Sequence, residues 1–259
     1  MKLETVIKVL QDELKLKNQE SWDNSGMQIG SLNSDIKTVM LTLDADKRAV
    51  AYALENKADL IISHHPFFFG SVKSIDFDSY DGSIVKMIIN SGMNLYSMHT
   101  SLDMAEEGVT TAIAQKLGIE DYLVLHKVND DGSGYGGFGT VKETNIREFA
   151  LMVKKSLDLD YVRLYAPDED ITVNKAAFCG GSGSEFILDA LLLEADVYIT
   201  GDIKYHQAQD ALKNNLCIID AGHFGTECPA LIALKEALLK NTDLNVLIYG
   251  NNTVKEIII

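Results

Sequence analysis

The chain has 259 residues, of which 46% are apolar and 24% charged, a balance typical of folded globular proteins and not of disordered ones. This length allows one large domain or two medium ones. A formal net charge of −15 argues against direct nucleic-acid binding, because such a surface repels a phosphate backbone. A small phosphorylated ligand remains compatible with the charge if metal ions attract it locally.

The cysteine content and the N-terminus indicate the compartment. Cys179, Cys217 and Cys228 are sparse, odd in number and free of any CxxC pair, so no disulfide framework is predicted. The N-terminal segment is amphipathic with early acidic residues, unlike a signal peptide. No apolar run approaches the length of a membrane span. We therefore expect a cytoplasmic protein that does not contact membranes.

In the first half, apolar periodicity predicts alternating helices and strands. A helix over 4–16 precedes the loop SWDNSGMQIG, residues 21–30. The next predicted elements are strands at 38–44, 59–68 and 93–103, and helices at 47–58, 80–92 and 109–118. Alternation of this kind indicates parallel strands in an α/β sandwich. Ligands of such sheets collect at the carboxyl ends of the strands, where this chain places several polar residues.

The second half begins with a glycine-rich stretch, 130–141, which we interpret as a flexible turn before a strand. The elements expected after it are a helix at 145–157, strands near 161–165 and 173–179, a strand, glycine-rich turn, helix and strand over 179–202, and a final strand, LNVLIYG. We divide the chain into a first α/β half (1–123), a linking segment (124–178) and a second α/β half (179–259).

An internal repeat relates the two halves. LENKADLIISHH resembles LLEADVYITGD, and aligning Ala58-Asp59 with Ala195-Asp196 places His65 opposite Asp202. The resemblance predicts two similar α/β half-domains with a site between them. Chance similarity of two α/β units is the alternative, because strands that begin with Ala-Asp are common.

The next strand of each half supports a true repeat. In both halves a histidine precedes a carboxylate by four residues, as His99 precedes Asp103 and His223 precedes Glu227. The shared spacing favours the repeat over chance.

The adjacent histidines His64 and His65 are the most specific local signal. Neighbouring residues on a strand point to opposite faces, but both imidazoles can enter one pocket if the strand ends at Ser63 and the chain turns. Imidazole binds zinc, iron and manganese, and carboxylates can bridge two such ions. The alternative is one buried, hydrogen-bonded histidine beside an exposed one.

The other ligand candidates favour metal binding. Five of the six histidines follow predicted strands: His64, His65, His99, His206 and His223. Only His126 lies apart. Asp103, Asp202 and Glu227 fall in the same loops, and their mutual repulsion would be offset by divalent cations. A set of three histidines and two carboxylates drawn from these residues is larger than one tetrahedral ion requires. Such a set suits two ions about 3.5–4 Å apart.

Two further motifs carry weaker signals. GGSG, residues 180–183, is interpreted as a tight turn, with anion binding by its backbone N–H groups as the alternative. SWDNSGMQIG contains the only tryptophan and is compatible with a helix-capping turn packed on the core. Alternatively, Asp23 and Asn24 border the pocket.

Six motifs, SWDNSGMQIG, LIISHHPFFF, HTSLD, CGGSG, YITGDIKYHQ and DAGHFGTE, resemble in this order the Nif-three-like, YbgI-like family of dinuclear-metal proteins. Bacterial members are commonly labelled GTP cyclohydrolase 1 type 2 homologs. The resemblance runs from the first helix to the last strand, and no large domain is inserted at 124–178. It implies two divalent ions, with zinc, iron or manganese expected, held by His64, His65, Asp103, His223 and Glu227.

The same resemblance places His99, Asp202 and His206 at the rim of the site or behind the ligands. It also implies a ring-shaped homohexamer with metal sites facing an inner cavity. The function we expect is metal-dependent hydrolysis of a small nucleotide-like or phosphorylated substrate, with His99 or His206 moving protons. The alternatives are a metal-handling protein and a regulatory interaction protein without turnover.

Overall fold

The computed structural model describes residues 1–256 and divides the chain into two compact units. The first unit comprises Met1–Leu102 together with the C-terminal part from Leu231 onward. The second unit comprises Asp103–Ala230. Each unit contains one β-sheet, so the α/β class expected from the sequence is confirmed. Within residues 1–256, no helix combines the length and the apolar character that a membrane crossing requires.

The first unit contains five strands. These are β1 (Gly26–Ile29), β2 (Thr38–Thr42), β3 (Leu60–Ser63), β4 (Asn94–Ser97) and β11 (Asn245–Tyr249). Its helices are α1 (Leu3–Leu14), α2 (Lys47–Glu55) and α3 (Tyr80–Ser91), and the short helix α4 (Thr100–Asp103) leads into the second unit. Asp46 caps α2 by accepting from the Ala49 N–H, and Gly92 ends α3 in the left-handed conformation, as predicted.

The first sheet has the order β1-β4-β3-β2-β11. Strands β2, β3, β4 and β11 run parallel, and β1 pairs antiparallel with β4 at the edge. Every residue of β3 is buried, as expected for a parallel strand covered on both faces. The parallel core agrees with the prediction. The antiparallel strand β1 lies in the segment that we interpreted only as a loop.

The second unit has six strands. They are β5 (Tyr122–Lys127), β6 (Gly134–Asn145), β7 (Arg163–Tyr165), β8 (Thr172–Phe178), β9 (Val197–Thr200) and β10 (Cys217–Asp220). Its helices are α5 (Val109–Leu117), α6 (Ile146–Ser156), α7 (Ile187–Leu192), α8 (Tyr205–Lys213) and α9 (His223–Glu227), with a 3-10 turn at Ser184–Phe186. Helix α10 (Ala230–Asn241) follows. The sheet order is β5-β6-β8-β9-β10-β7, with β8, β9 and β10 parallel.

The glycine-rich stretch differs from its predicted form. Its first residues turn, but from Gly134 onward the chain is strand β6, which pairs with both β5 and β8. A Cβ atom on Gly137 would lie 2.3 Å from the Phe178 ring, and one on Gly134 would lie 1.9 Å from the His126 carbonyl oxygen. Glycine is therefore needed at these two positions because neighbouring atoms of the sheet leave no room for a side chain, and not because the segment is flexible.

The internal repeat extends further than the sequence comparison indicated. Strand order β1-β4-β3-β2 in the first sheet corresponds to β7-β10-β9-β8 in the second, and the edge strand is antiparallel in both. Asp59 accepts from the Lys37 and Thr38 N–H groups, at 2.8 and 2.9 Å. Asp196 accepts in the same way from the N–H groups of residues 174 and 175, at 2.9 and 2.8 Å. This shared hydrogen-bond pattern supports the predicted Ala-Asp alignment.

The second part of that alignment is shifted by one residue. Ser97 is paired with Ser63 in the first sheet, and Asp220 is paired with Thr200 in the second. Two residues beyond the ends of β4 and β10, His99 therefore corresponds to Gly222 and not to His223. His223 opens helix α9, whereas His99 precedes α4.

Candidate metal centre

The end of β3 directs two imidazoles into one cluster. The strand ends at Ser63, and its hydroxyl donates to the His65 carbonyl oxygen at 2.8 Å. The same hydroxyl lies 2.8 Å from that of Ser97 on β4. The turn that follows brings the His64 and His65 ring centroids to 5.0 Å. The sequence allowed this arrangement only if the strand ended here, and it does.

His99 completes a group of three histidines in the first unit. Its ring centroid lies 5.2 Å from that of His64 and 5.7 Å from that of His65. Ligand nitrogens of all three lie within 4.8 Å of one another, so the group could hold a metal ion. His64 is buried, and the side chains of His65 and His99 are only 22% and 14% exposed.

The Nδ1 atoms of these rings are held by oxygen acceptors. His64 Nδ1 lies 2.8 Å from the Met98 carbonyl oxygen, which can only accept, so Nδ1 donates. His65 Nδ1 donates to Asp44 and His99 Nδ1 donates to Asp23, both at 2.9 Å. A neutral imidazole that donates from Nδ1 carries its lone pair on Nε2, the nitrogen that would bind a metal.

The Asp23 carboxylate accepts several hydrogen bonds beside the histidine group. Burial by itself would raise its pKa, but hydrogen bonds from Thr100, His99 and Ser25 outweigh burial and lower the pKa to about 2. Burial, reinforced by the neighbouring His64, lowers the pKa of His99 in spite of the bond to Asp23. At neutral pH the pair is therefore a carboxylate and a neutral imidazole. Asp44 was not identified from the sequence, and Asp23 was only an alternative.

The second unit holds a histidine and a carboxylate on helix α9. His223 and Glu227 are four residues apart, hence on one face, and His223 Nε2 lies 3.1 Å from Glu227 Oε1. His223 Nδ1 donates to Asp202 at 2.8 Å. Asp202 thus stands directly behind His223. Glu227 is buried.

Asp103 and Glu227 share a neighbour. Burial raises the pKa of the Cys179 thiol far above its usual range, and the negative charges of Asp103 and Glu227 raise it further. Both carboxylates therefore lie within electrostatic range of the same buried sulfur. A cation near them would relieve the repulsion that two such groups otherwise exert on each other.

The GGSG turn supports Glu227 and is already hydrogen-bonded within the protein. The Gly181 N–H donates to Thr226 Oγ1 at 2.9 Å, and the Gly183 N–H donates to Thr200 Oγ1 at 3.0 Å. A Cβ atom on Gly181 would lie 2.3 Å from Glu227 Oε1. The motif is therefore a tight turn that makes room for the carboxylate, which favours the first of its two interpretations.

The remaining candidates lie elsewhere. His206 is exposed at the start of α8, with its ring edge-on to Tyr205 at 5.2 Å. His126, which the sequence set apart, stacks on Phe186 at 4.7 Å, and its Nδ1 lies 3.2 Å from Asp189. Its environment is that of a structural histidine.

The donor set fits divalent metal ions. Four histidines (His64, His65, His99 and His223) have Nδ1 within hydrogen-bond distance of an oxygen acceptor. This arrangement fixes ring orientation and is typical of metal-ligating imidazoles. Buried or half-buried carboxylates near such rings add the negative charge that a divalent cation requires.

The family model described as Duf34/NIF3 (NGG1p interacting factor 3) matches residues 1–254. Two curated relatives carry the name GTP cyclohydrolase 1 type 2 homolog. The Clostridium perfringens relative is 33% identical over 250 residues, covering 95% of this chain and 94% of the relative. The Clostridium acetobutylicum relative is 31% identical over 242 residues, covering 92% and 90%.

A solved structure shows the same fold. The crystal structure of a Bacillus cereus protein related to NIF3 matches with a TM-score of 0.91, over 100% of this chain and 99% of that chain. Its sequence identity is 23%, so the match concerns the fold alone.

Proposed function

Since the chain belongs to the Duf34/NIF3 family, we propose that it is a dinuclear metal-dependent hydrolase of small nucleotide-like or phosphorylated substrates. The observation that carries this proposal is the group of three histidines, His64, His65 and His99, whose ligand nitrogens lie within 4.8 Å of one another. Each holds Nδ1 against an oxygen acceptor, which leaves the lone pair on Nε2.

The proposed ligands are five residues: His64, His65, Asp103, His223 and Glu227. Three imidazoles and two carboxylates suit zinc, iron or manganese, and they exceed what one tetrahedral ion takes. Two ions per chain are therefore proposed. When bound, such ions lower the pKa of water and stabilise negative charge on a substrate oxygen.

The chain itself supplies a proton acceptor. His99 is neutral at physiological pH, and Asp23 holds the proton on its Nδ1. Its Nε2 can then accept a proton from an attacking water and return it to a leaving group. His206 is a second candidate for this role, farther along the chain on an exposed helix end.

The substrate class is supported by the names of the relatives. Both clostridial relatives are named as homologs of a GTP cyclohydrolase, which favours a nucleotide-like substrate. The family description instead names an interaction with NGG1p, which favours a regulatory protein without turnover. Metal handling, with the ions as cargo, is a further alternative.

Turnover distinguishes these functions. Metal-loaded protein is incubated with GTP and with a panel of other nucleotides and phosphoesters, and the products are identified. We expect metal-dependent turnover that is lost in His64→Ala and retained in His126→Ala. Full metal loading without turnover of any substrate would contradict the hydrolase and leave the metal-handling protein.

We also propose a homo-oligomer, a hexamer by the family resemblance. The loop after β3 exposes several apolar side chains: Val72, Ile75, Phe77 and Tyr80 are 48, 48, 47 and 60% exposed. Exposed apolar residues of this density are typical of an interaction surface. Light scattering at micromolar concentration should report an assembly larger than a monomer, and a monomer would contradict this proposal.

A further inference from the structure

Two exposed aromatic rings flank His99 in the first unit. Trp22 is 59% exposed and Phe69 is 55% exposed. Their ring planes are 19° from parallel, with centroids 6.4 Å apart. His99 stands edge-on to both, 6.0 Å from Trp22 and 5.5 Å from Phe69. Large aromatic side chains gain most when buried, so a parallel exposed pair beside a polar cluster indicates a binding surface.

The loop that carries Trp22 is anchored next to that residue. The Asp23 carboxylate accepts from the Ser25 hydroxyl at 2.7 Å and from the Thr100 hydroxyl at 2.6 Å, in addition to the bond from His99. The Asp23 side chain is fully buried. The backbone next to Trp22 is therefore held in place, although the Trp22 ring itself is exposed.

The loop that carries Phe69 is tied to the same segment. The Asn24 side chain donates to the Phe68 carbonyl oxygen at 2.6 Å, and the Phe68 N–H donates to Gln28 Oε1 at 3.1 Å. The two aromatic residues thus stand on loops that hold each other in place. Such preorganisation lowers the entropic cost of binding a ligand.

The spacing of the rings determines how a ligand would bind. A ring inserted between them would need about 7 Å between the planes, twice the ~3.5 Å contact distance of carbon atoms. The centroids are only 6.4 Å apart, so the planes are closer than that. A planar guest therefore stacks on an outward face, and Trp22 offers the larger and more exposed one.

We propose that Trp22 is a stacking platform for the planar heteroaromatic ring of the substrate, with Phe69 supporting it. The location next to His99 carries the argument, because His99 lies 5.2 Å from His64 between ring centroids. A ligand whose reacting group lies at the histidine cluster can then place its ring on Trp22. This inference rests on the proposed function, and it identifies the ring as the part of the substrate that Trp22 recognises.

Trp22 is the only tryptophan, so its fluorescence reports on this site alone. The probes are guanosine 5′-monophosphate and ribose 5-phosphate, which share a sugar phosphate and differ only in the ring. In metal-loaded wild-type protein, the nucleotide should quench Trp22 saturably and ribose 5-phosphate should not. Calorimetry should show that Trp22→Leu weakens nucleotide binding by about 5- to 150-fold, since stacking contributes roughly 1–3 kcal/mol per base.

Three controls separate stacking from other effects. Trp22→Phe should keep most of the nucleotide affinity because it keeps an aromatic face. Leu151→Ala, a change at an exposed apolar residue of helix α6, should bind as the wild type does. The affinity for ribose 5-phosphate should be the same in the wild type and in Trp22→Leu.

Several results would overturn the platform. The first three are an unchanged nucleotide affinity in Trp22→Leu, equal affinities for the two probes, and a Trp22 fluorescence that the nucleotide does not change. The fourth is a change in Trp22 fluorescence when the ligand-free protein is diluted, which would show that a second copy of the chain covers Trp22. The hydrolase proposal fails on a different result, the absence of metal-dependent turnover. Turnover of a phosphoester without a ring would preserve the hydrolase while removing the platform.

Discussion

The residues that follow the carboxyl ends of β3 and β9 occupy equivalent positions in the two repeats but differ in chemistry. The shared alignment makes His65 correspond to Asp202. In the first unit His65 presents a ligand nitrogen and Asp44 orients it. In the second unit Asp202 is itself the orienting carboxylate, and it holds His223. Under the proposed function, these equivalent positions hold a metal ligand in one unit and the residue that orients a ligand in the other.

A second pair of equivalent positions shows the same divergence. The strand registers of the same alignment make Asp44 in one unit correspond to Gly181 in the other. Asp44 fills its position with a carboxylate, whereas Gly181, at φ +65°, leaves space for Glu227. In the proposed site, one unit thus places its ligands on the turns after its strands, and the other places them on a helix.

The largest effect is expected for loss of a proposed ligand. His64→Ala should lower metal affinity by more than about 100-fold, because residues that only orient ligands already contribute 10- to 100-fold. His126→Ala is the control, since His126 stacks on Phe186 and its Nδ1 faces Asp189 in the second unit. Metal titration of the metal-free proteins measures both. Equal affinities in the two variants would remove His64 from the site.

The orienting carboxylates should come next. Asp44→Ala and Asp202→Ala should each lower metal affinity by about 10- to 100-fold, because His65 and His223 lose the acceptor that fixes the ring. The corresponding Asn variants keep an acceptor oxygen and should retain more of the affinity. If only one of the two alanine variants affects the metal, the equivalence of the two supports is wrong.

Gly181→Ala should disturb Glu227. The new Cβ would lie 2.3 Å from the carboxylate oxygen, and the positive φ adds a cost of roughly 1–2 kcal/mol. Gly92→Ala is the matched control, because Gly92 has φ +72° with nothing within 4 Å of an added Cβ. Both variants should lose stability in thermal unfolding, but only Gly181→Ala should also lose metal affinity. Unchanged metal affinity would separate Gly181 from the site.

The smallest effect concerns pH. The pKa of Asp23 falls from its usual 3.8 to about 2 in the folded state, so its ionised form stabilises the fold. That stabilisation, about 2 kcal/mol, is present above pH 3.8 and is lost as the pH falls towards 2. Asp23→Asn should therefore be less stable than the wild type near neutral pH, and the gap should narrow in acid. Denaturant unfolding at several pH values measures it, and a gap independent of pH would contradict this account.

Much of the fold was predictable because periodicity and glycine stops are local. The helix ends at Gly92 and Gly118 follow from the sequence, whereas strand β3 ends at Ser63, five residues before the end of the strand predicted at 59–68. Strands β1 and β6 were missed or misjudged. Strand β1 has only four residues, all partly buried, and the glycines of β6 indicate a turn until the close approach of Phe178 is known.

The candidate site was predictable to the level of residue type. Histidines that follow predicted strands indicated the cluster. The four-residue spacing from His99 to Asp103 and from His223 to Glu227 indicated a carboxylate in each half. The orienting residues were harder to find. Asp44 follows a strand, as many aspartates do, and only its contact with His65 Nδ1 distinguishes it. The sequence likewise did not indicate that the Trp22 ring is exposed, because a single tryptophan in a loop usually predicts packing against the core.

Elemental analysis of purified, metal-reconstituted protein tests the central claim most directly, because five ligand residues are proposed to hold two ions. The account predicts two equivalents of zinc, iron or manganese per chain, and a clear loss of metal in His64→Ala and in Glu227→Ala but not in His126→Ala. A wild-type protein that retains at most one equivalent after reconstitution would contradict it.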